Sequence, residues 1–331
     1  MAYAPPFSLN DEILTRVAGI AQKVGQVEVY DRLNSSPHLR KENRIRTIHS
    51  SLAIENNSLS LDQVTAVIEG HHVIAPARDI LEVQNALAAY EAMPELDPLS
   101  MEDLLRAHGL LMAGLTPEAG RLRSGNVGVF DGDRLIHMGT PANYVPEVLC
   151  DLFGWLRDSS THPLIKSCVF HYEFEYVHPF SDGNGRMGRL WQTLILSEWN
   201  QLFAWLPVET IVKDNQETYY AVLGESDRKA DCTGFVAFML DIVSAALDDA
   251  LGVQENVGIN DGINVGITNM AVRNQDRLLD RVRENPAMTV AQMAEVLGLS
   301  KRQVERMVAD LKKQERLVRV GAKRNGRWEV R

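Results

Sequence analysis

Twelve residues, HPFSDGNGRMGR at positions 178–189, constrain this chain more than any other stretch. Apolar residues at helical spacing fill 164–177 before it, and an apolar run at 190–199 follows, so it reads as a short loop closed between two packed helices. Pro179 blocks continuation of the first helix. Gly183 and Gly185 permit backbone dihedrals that side chains forbid. Two glycines flanking Asn184 at a helix start make a concavity of backbone N–H groups, with the helix dipole pointed into it; that is an anion site. Around it stand an imidazole (His178), a carboxylate (Asp182) and two guanidinium groups, Arg186 and Arg189, on one helical face. Cationic forks, a carboxylate to hold Mg²⁺ against phosphate oxygens and a base for an attacking hydroxyl are the parts of phosphoryl or nucleotidyl transfer.

The same residues resemble the signature of the Fic family, His-Pro-Phe-x-Asp/Glu-Gly-Asn-Gly-Arg-x-x-Arg, with every specified position present. The resemblance spans residues 50–251 and is strongest at this loop. It implies an all-α, mainly helical fold and a protein adenylyltransferase that moves AMP from ATP to a Ser, Thr or Tyr hydroxyl of a target protein. In that reading His178 is the general base and Asp182 holds Mg²⁺. Gly183, Asn184 and Gly185 line the anion hole, Arg186 binds the α- and β-phosphates, and Arg189 reaches the γ-phosphate. Met187 and Gly188 complete the nucleotide-binding segment, and Phe180 anchors the loop in the core.

Ser51-Leu52-Ala53-Ile54-Glu55-Asn56 matches the family's inhibitory motif, Ser/Thr-x-x-x-Glu-Gly/Asn, at the end of an N-terminal helix. The resemblance implies that Glu55, with Ser51, occupies the fork of Arg189 through a bidentate pair. The enzyme is then locked in cis. Two alternatives stay open beside this reading. One is a DNA-binding regulator whose Fic body senses nucleotide or a partner; the other is a Fic enzyme that uses another donor or removes AMP.

Helical periodicity also predicts helices at 10–33, 39–54, 78–93, 100–113 and 145–157. Ser60 with Gln63 forms a capping box for another helix that Gly70 stops. Residues 127–138 break this pattern: VGVF and RLIH flank Asp131-Gly132, a hairpin signal. In the Fic family a flap lies just before the core helices, and this hairpin occupies that place. Its edge, Val127, Val129, Phe130, Leu135, Ile136 and His137, is the candidate surface for docking an extended target segment by strand addition. Downstream, Asp214 is expected to cap a helix with Glu217 at its third position. In the family a tyrosine-bearing helix there lies near the nucleotide base, which makes Tyr220 a candidate contact. A last helix spans 231–251.

Four regions follow: an N-terminal helical region at 1–99 carrying the inhibitory motif, a catalytic core at 100–251, a Gly- and Asn-rich linker at 252–266, and a winged helix-turn-helix at 267–331. In the last, Thr289 with Gln292 and Ser300 with Gln303 cap two helices, and strands at 317–320 and 327–330 form the wing. Charge separates the module from the body. Residues 270–331 hold 15 Lys and Arg against 8 Asp and Glu, while the remainder holds 19 against 36. Lys301, Arg302, Arg306, Lys312 and Lys313 on the recognition helix, with Lys323, Arg324 and Arg327 on the wing, suit phosphate contacts; the same fold also serves as a dimerisation or docking module. A homodimer is one expectation.

No stretch approaches a membrane span, so no membrane partner is expected. Cys150, Cys168 and Cys232 are odd in number and lie far apart in apolar helical contexts, which predicts reduced core thiols of a cytoplasmic protein. The histidines outside the signature, His49, His71, His72, His108, His137 and His162, lack metal-ligand spacing and receive no metal role.

Overall fold

The computed structural model describes residues 3–30, 36–131, 134–257, 278–279, 281–283, 285–286, 288–297, 304, 308, 311–312, 316–320 and 327–330. The chain divides into two units, 1–250 and 251–331. In the first, helices α1 (Asp11–Tyr30), α2 (Pro37–Ile54), α3 (Leu61–Ile68), α4 (Ala77–Ala92) and α5 (Met101–Leu111) precede a hairpin of β1 (Gly128–Asp131) and β2 (Arg134–Met138). Helices α6 (Val145–Asp158), α7 (Pro163–Val177), α8 (Asn184–Trp199), α9 (Val208–Asp214), α10 (Gln216–Lys229) and α11 (Thr233–Val257) follow. The mainly helical expectation therefore holds, with the hairpin where the turn signal places it.

Local chemistry explains most boundaries. The Ser36 hydroxyl accepts from the Leu39 N–H and Pro37 sits in the first turn of α2, where its missing donor costs nothing. Ser60 and Gln63 form the predicted capping box at α3. Asp214 departs from expectation: it ends α9, and α10 starts after Asn215 without a side-chain cap. Helix α11 runs to Val257, into the segment read as linker, whose residues 258–266 lie outside the described residues.

The core is built around α7 and α8, which are buried on nearly every face and pack against each other along their length. Helix α8 buries polar residues there as well, Arg186, Arg189, Gln192 and Thr193 among them, and each needs partners inside the core. Phe153 and Phe170 meet edge-on at 5.4 Å between ring centroids, and Trp191 closes on Phe153 at 6.3 Å. Phe180 is fully buried, as the anchoring role requires, and stacks on the His108 ring at 3.6 Å. Cys168 and Cys232 are buried thiols, but Cys150 is exposed on α6, contrary to the expectation of three core cysteines.

Between α5 and the hairpin, Arg123 enters the core at 3% exposure. Its Nε donates to the His178 carbonyl at 2.7 Å, Nη1 to the Gly125 carbonyl at 2.7 Å, and Nη2 to the carbonyls of Thr140 and Val177. The Arg123 N–H also donates to the Pro179 carbonyl at 3.0 Å. One guanidinium thus ties the end of α7 to the base of the hairpin.

In the second unit, α12 (Val290–Leu297) is capped by reciprocal bonds between Thr289 and Gln292. Strands β3 (Leu317–Val320) and β4 (Arg327–Val330) pair antiparallel, with Leu317 opposite Val330. Trp328 donates its indole N–H to the Met288 carbonyl at 2.9 Å and lies in a core with Leu278, Val282, Met293, Val304 and Leu317. Among the basic positions, Lys301, Arg302, Arg306, Lys313, Lys323 and Arg324 lie outside the described residues, as do Ser300 and Gln303. Lys312 lies over the Trp328 ring at 5.0 Å.

Replacing Arg123 by Met keeps an unbranched stem but strands several buried carbonyls. Each charge-assisted bond of this kind contributes roughly 1.5–3 kcal/mol, so Arg123→Met is expected to destabilise the protein by at least about 3 kcal/mol. The shift of the denaturant midpoint measures it; a loss below about 1 kcal/mol would mean that water satisfies those carbonyls instead.

Candidate active site

The signature loop begins with a backbone turn that few residues adopt. His178 has φ +52° and ψ +62° and caps α7 by donating its N–H to the Phe174 carbonyl at 3.0 Å. A non-glycine residue held in the left-handed region needs surrounding structure to keep it there; Pro179 and Arg123 supply that. The His178 ring has its Nδ1 at 3.4 Å from the Glu175 carbonyl. Burial foremost pushes its pKa down to about 4, so the ring is neutral near pH 7. With the proton on Nδ1 facing the carbonyl, the Nε2 lone pair is free to accept another.

His108 supports the same loop from below. Its Nδ1 accepts from the Gly120 N–H at 3.0 Å, so Nε2 carries the proton and donates to the Asp182 carbonyl at 3.0 Å. Burial lowers this imidazole to about 4 as well, which keeps one nitrogen available as the acceptor. Gly183 follows at φ +86°, and a Cβ there would collide with the Met112 sulfur at 2.7 Å, so both conformation and space demand glycine.

Helix α8 starts at Asn184, and its first N–H groups have no intrahelical partner. The Asn184 side chain has a structural part beside the expected backbone one. It is buried, accepting from the Phe180 N–H and donating to the Phe180 carbonyl, both at 2.9 Å, and thereby closes the loop on itself. Met187 is fully buried in the core. Gly188 likewise faces α7: a Cβ there would meet the Glu175 Oε1 at 2.9 Å and the His171 Cδ2 at 3.1 Å.

Over Gly185 sits a carboxylate from another part of the chain. A Cβ on Gly185 would collide with the Glu55 Oε1. That same oxygen accepts from the Arg189 Nη2 at 2.8 Å. Arg189 further donates from Nε to the Ser51 hydroxyl at 3.1 Å and from Nη2 to the Ser51 carbonyl at 3.0 Å. The expected bidentate pair is therefore a single-point ion pair, with Ser51 accepting from Nε and sharing Nη2 with Glu55. Burial alone would depress the Arg189 guanidinium, but Glu55 and its neighbours reverse that and hold its pKa above the usual value. A fixed anion thus lies at the mouth of α8, where an anionic ligand would be favoured.

Asp182 stands at the rim with its side chain 41% exposed. Its Oδ1 accepts from the Arg186 Nη2 at 3.0 Å and its Oδ2 from the Arg78 Nη2 at 3.3 Å. Arg186 is buried, and its Nε has no hydrogen-bond partner among the described residues. A buried charged donor left unpaired marks a place where an acceptor belongs. Among the described residues no group of three or more His, Cys, Asp or Glu could hold a metal ion. One carboxylate beside an unpaired guanidinium donor fits Mg²⁺ that arrives on phosphates, because that ion is commonly held by one or two carboxylates together with its substrate.

The remaining sequence candidates divide. Tyr219 is buried, its hydroxyl 3.0 Å from the His171 Nε2. Tyr220 is 48% exposed on α10; burial raises its phenol first, and the Glu55 carboxylate adds to that. Within the hairpin, Val129 pairs with His137 and Phe130 with Leu135, with a register shift between Val129 and Phe130. The side chains of Val129, Phe130, Leu135 and Ile136 lie outside the described residues. Val127 packs at the hairpin base, its carbonyl accepting from the Gly139 N–H at 3.1 Å. His137 is not free for a target: its Nδ1 lies 3.0 Å from the Asp227 Oδ2 and its Nε2 2.7 Å from the Tyr176 carbonyl. The Asp227 hydrogen bond, more than any other influence, raises the His137 pKa.

Sequence reasoning missed Arg123, His108, Arg78, Glu82 and Glu175. Glu175 carries a buried Oε1 with no hydrogen-bond partner among the described residues, 3.8 Å from the His171 Nε2, and burial raises its pKa to about 7. Only Glu175, three positions before His178 in the run HYEFEYV, had any signal to offer: a charged residue on a helix otherwise destined for the core.

Comparison with known proteins agrees with this geometry. The Fic/DOC family matches residues 98–196. A protein adenylyltransferase, fic-1 of Caenorhabditis elegans, is 31% identical over 249 residues, which is 70% of this chain and 46% of that protein. Protein adenylyltransferase Fic of Nematostella vectensis is 27% identical over 220 residues, or 63% of this chain and 49% of that one. The chain spans about half the length of these relatives. Among solved structures, a Fic family protein from Desulfovibrio desulfuricans G20 superposes with a TM-score of 0.74 at 44% identity, covering 99% of this chain and 98% of that one. A likeness of that identity and coverage, centred on a signature loop whose every specified residue is present, places this chain in the Fic family.

Proposed function

We propose that the protein is a protein adenylyltransferase, transferring AMP from ATP to a hydroxyl of a target protein, and that Glu55 holds it inactive in cis. The observation that carries this reading is the convergence, at the N-terminus of α8, of a neutral imidazole and two buried guanidinium groups, with the Glu55 carboxylate over Gly185 and paired with Arg189. The printed names of the relatives support the reaction class.

In this mechanism the nucleotide phosphates lie against the first N–H groups of α8, with Arg186 and Arg189 as cationic partners. The Nε2 of His178 accepts the proton of the target Ser, Thr or Tyr hydroxyl. The hydroxyl oxygen forms a bond to the α-phosphorus as the bond from that phosphorus to the α–β bridging oxygen breaks. AMP remains on the target and pyrophosphate leaves. Asp182 would hold Mg²⁺, which supplies charge neutralisation at the phosphate oxygens. Glu55 prevents this arrangement because its carboxylate and a phosphate cannot share Gly185 and the Arg189 fork. The half-exposed Tyr220, within the electrostatic reach of Glu55, is the candidate neighbour of the base. The hairpin is the candidate clamp for the target segment, with His137 fastening it to α10 rather than touching the target.

Incubation of the purified protein with Mg²⁺ and α-labelled ATP tests the reading. Glu55→Gly is expected to raise label transfer into protein by roughly 5- to 150-fold, the usual span of coupling energies. His178→Ala in the same background should lose about 10²- to 10⁴-fold, the usual share of a general base. No label in any variant, with cell lysate offered as target, would sink the adenylyltransferase reading.

The protonation of His178 gives a second check. Since its folded pKa lies near 4 and its ordinary value is 6.5, the imidazole should stay neutral on acidification until well below pH 6. Carbon-detected NMR of the ring in the nucleotide-free protein measures this; a midpoint at about 6.5 would contradict the buried, base-ready geometry.

A further inference from the structure

The two contacts on the Asp182 carboxylate differ in kind. Arg186 belongs to the signature helix and is 5% exposed, while Arg78 comes from the first turn of α4 and is 60% exposed. Glu82 closes the arrangement into a ring. Arg78 Nε donates to the Glu82 Oε1 at 3.3 Å, and that oxygen lies 3.6 Å from the Arg186 Nη1. The other Glu82 oxygen accepts from the Asn57 Nδ2 at 2.9 Å. Charge therefore alternates around the ring, Arg78, Asp182, Arg186, Glu82, with Arg186 and Glu82 on the buried side and Arg78 and Asp182 on the exposed side.

Arg78 is outside the signature, and the chemistry proposed above leaves it without a role. Yet it presses a positive charge onto the outer oxygen of the one carboxylate assigned to the metal. A divalent cation and a guanidinium compete for that oxygen, since each is drawn by the same negative charge and each repels the other. Arg78 is the member that can leave. Its stem is long and its head is in water, whereas Arg186 and Glu82 are packed in place.

We propose that Arg78 takes the cation's place on Asp182 in the nucleotide-free protein, and that a metal–nucleotide complex binds by displacing it. Arg78 thereby sets the metal concentration the site requires. The proposal rests on the reading of Asp182 as the metal carboxylate. It assigns Arg78 a positioning role: before binding it holds the Asp182 carboxylate in the pose fixed from the other side by Arg186.

The contact is exposed, so its removal has a modest effect, in the range of a surface ion pair. The test is calorimetry of a non-hydrolysable ATP analogue binding to the full chain carrying Glu55→Gly, with and without Arg78→Gln, across a Mg²⁺ series and in EDTA. Arg78→Gln is expected to lower the Mg²⁺ concentration for half-maximal binding by about two- to fivefold, and to leave affinity in EDTA no tighter. Arg78→Lys, which keeps a cation, should fall between the two. An unchanged or raised Mg²⁺ midpoint overturns the proposal. So does weaker binding in EDTA at an unchanged midpoint, which would make Arg78 a phosphate ligand. If the analogue binds neither background, the nucleotide reading fails and this proposal with it; if it binds with unaltered metal dependence, this proposal alone fails.

Discussion

A guanidinium cannot lose its water unless something replaces it, and Arg189 is almost wholly buried. That requirement ties together parts of the chain 138 positions apart. Ser51 and Glu55 come from the end of α2, Arg189 from the first turns of α8, and their hydrogen bonds fasten one helix to the other at the site itself. Glu175 and Glu209 lie near enough for their fields to reach the same cation. Burial raises both of these carboxyls, Glu175 to about 7, so neither stands in for Glu55 as a full negative charge when it leaves. An incoming anion must therefore supply the charge that Glu55 takes away.

The loop between α7 and α8 is held by the same logic applied to carbonyls. A turn that reverses the chain inside a core exposes backbone oxygens, and each must find a donor. Arg123 supplies most of them around Val177 and His178, His108 supplies Asp182, and Asn184 supplies both groups of Phe180. Two of these three donors lie far from the loop in sequence. The conformation of His178 and the start of α8 are thus set before any ligand arrives, which is the condition for electrostatic stabilisation without reorganisation.

This division explains what could be read from the sequence. Pro179, Gly183 and the flanking apolar runs announce a loop between two buried helices because their effects are local. Ser60 with Gln63 and the strand pair around Asp131-Gly132 are legible for the same reason. Asp214 is a competent capping residue, but it closes α9 and the break falls one position later at Asn215, a shift too small for residue type alone to resolve. Within the run that follows, successive helical residues point in different directions: Arg186 and Arg189 face the site, Met187 is buried in the core and Gly188 lies against α7. Arg123, His108 and Arg78 could not be read at all. Each acts through a contact formed only when distant segments meet.

Seen as charges, the free site already contains the pattern of its proposed ligand. Glu55 places an anion over the N-terminus of α8 and on Arg189, and Arg78 places a cation on Asp182. In the proposed reaction the nucleotide and its metal would replace one set of charges with another instead of adding new ones to a low-dielectric pocket. The two stand-ins are also neighbours through the chain. Asn57, two residues beyond Glu55, donates to Glu82 and to the Asp79 carbonyl, and Ser58 bonds the Asp79 carboxylate, so the first turn of α4 holds both Arg78 and the turn that follows Glu55. Glu55 and Arg78 are thus joined through one short segment, whose hydrogen bonds fix the position of both.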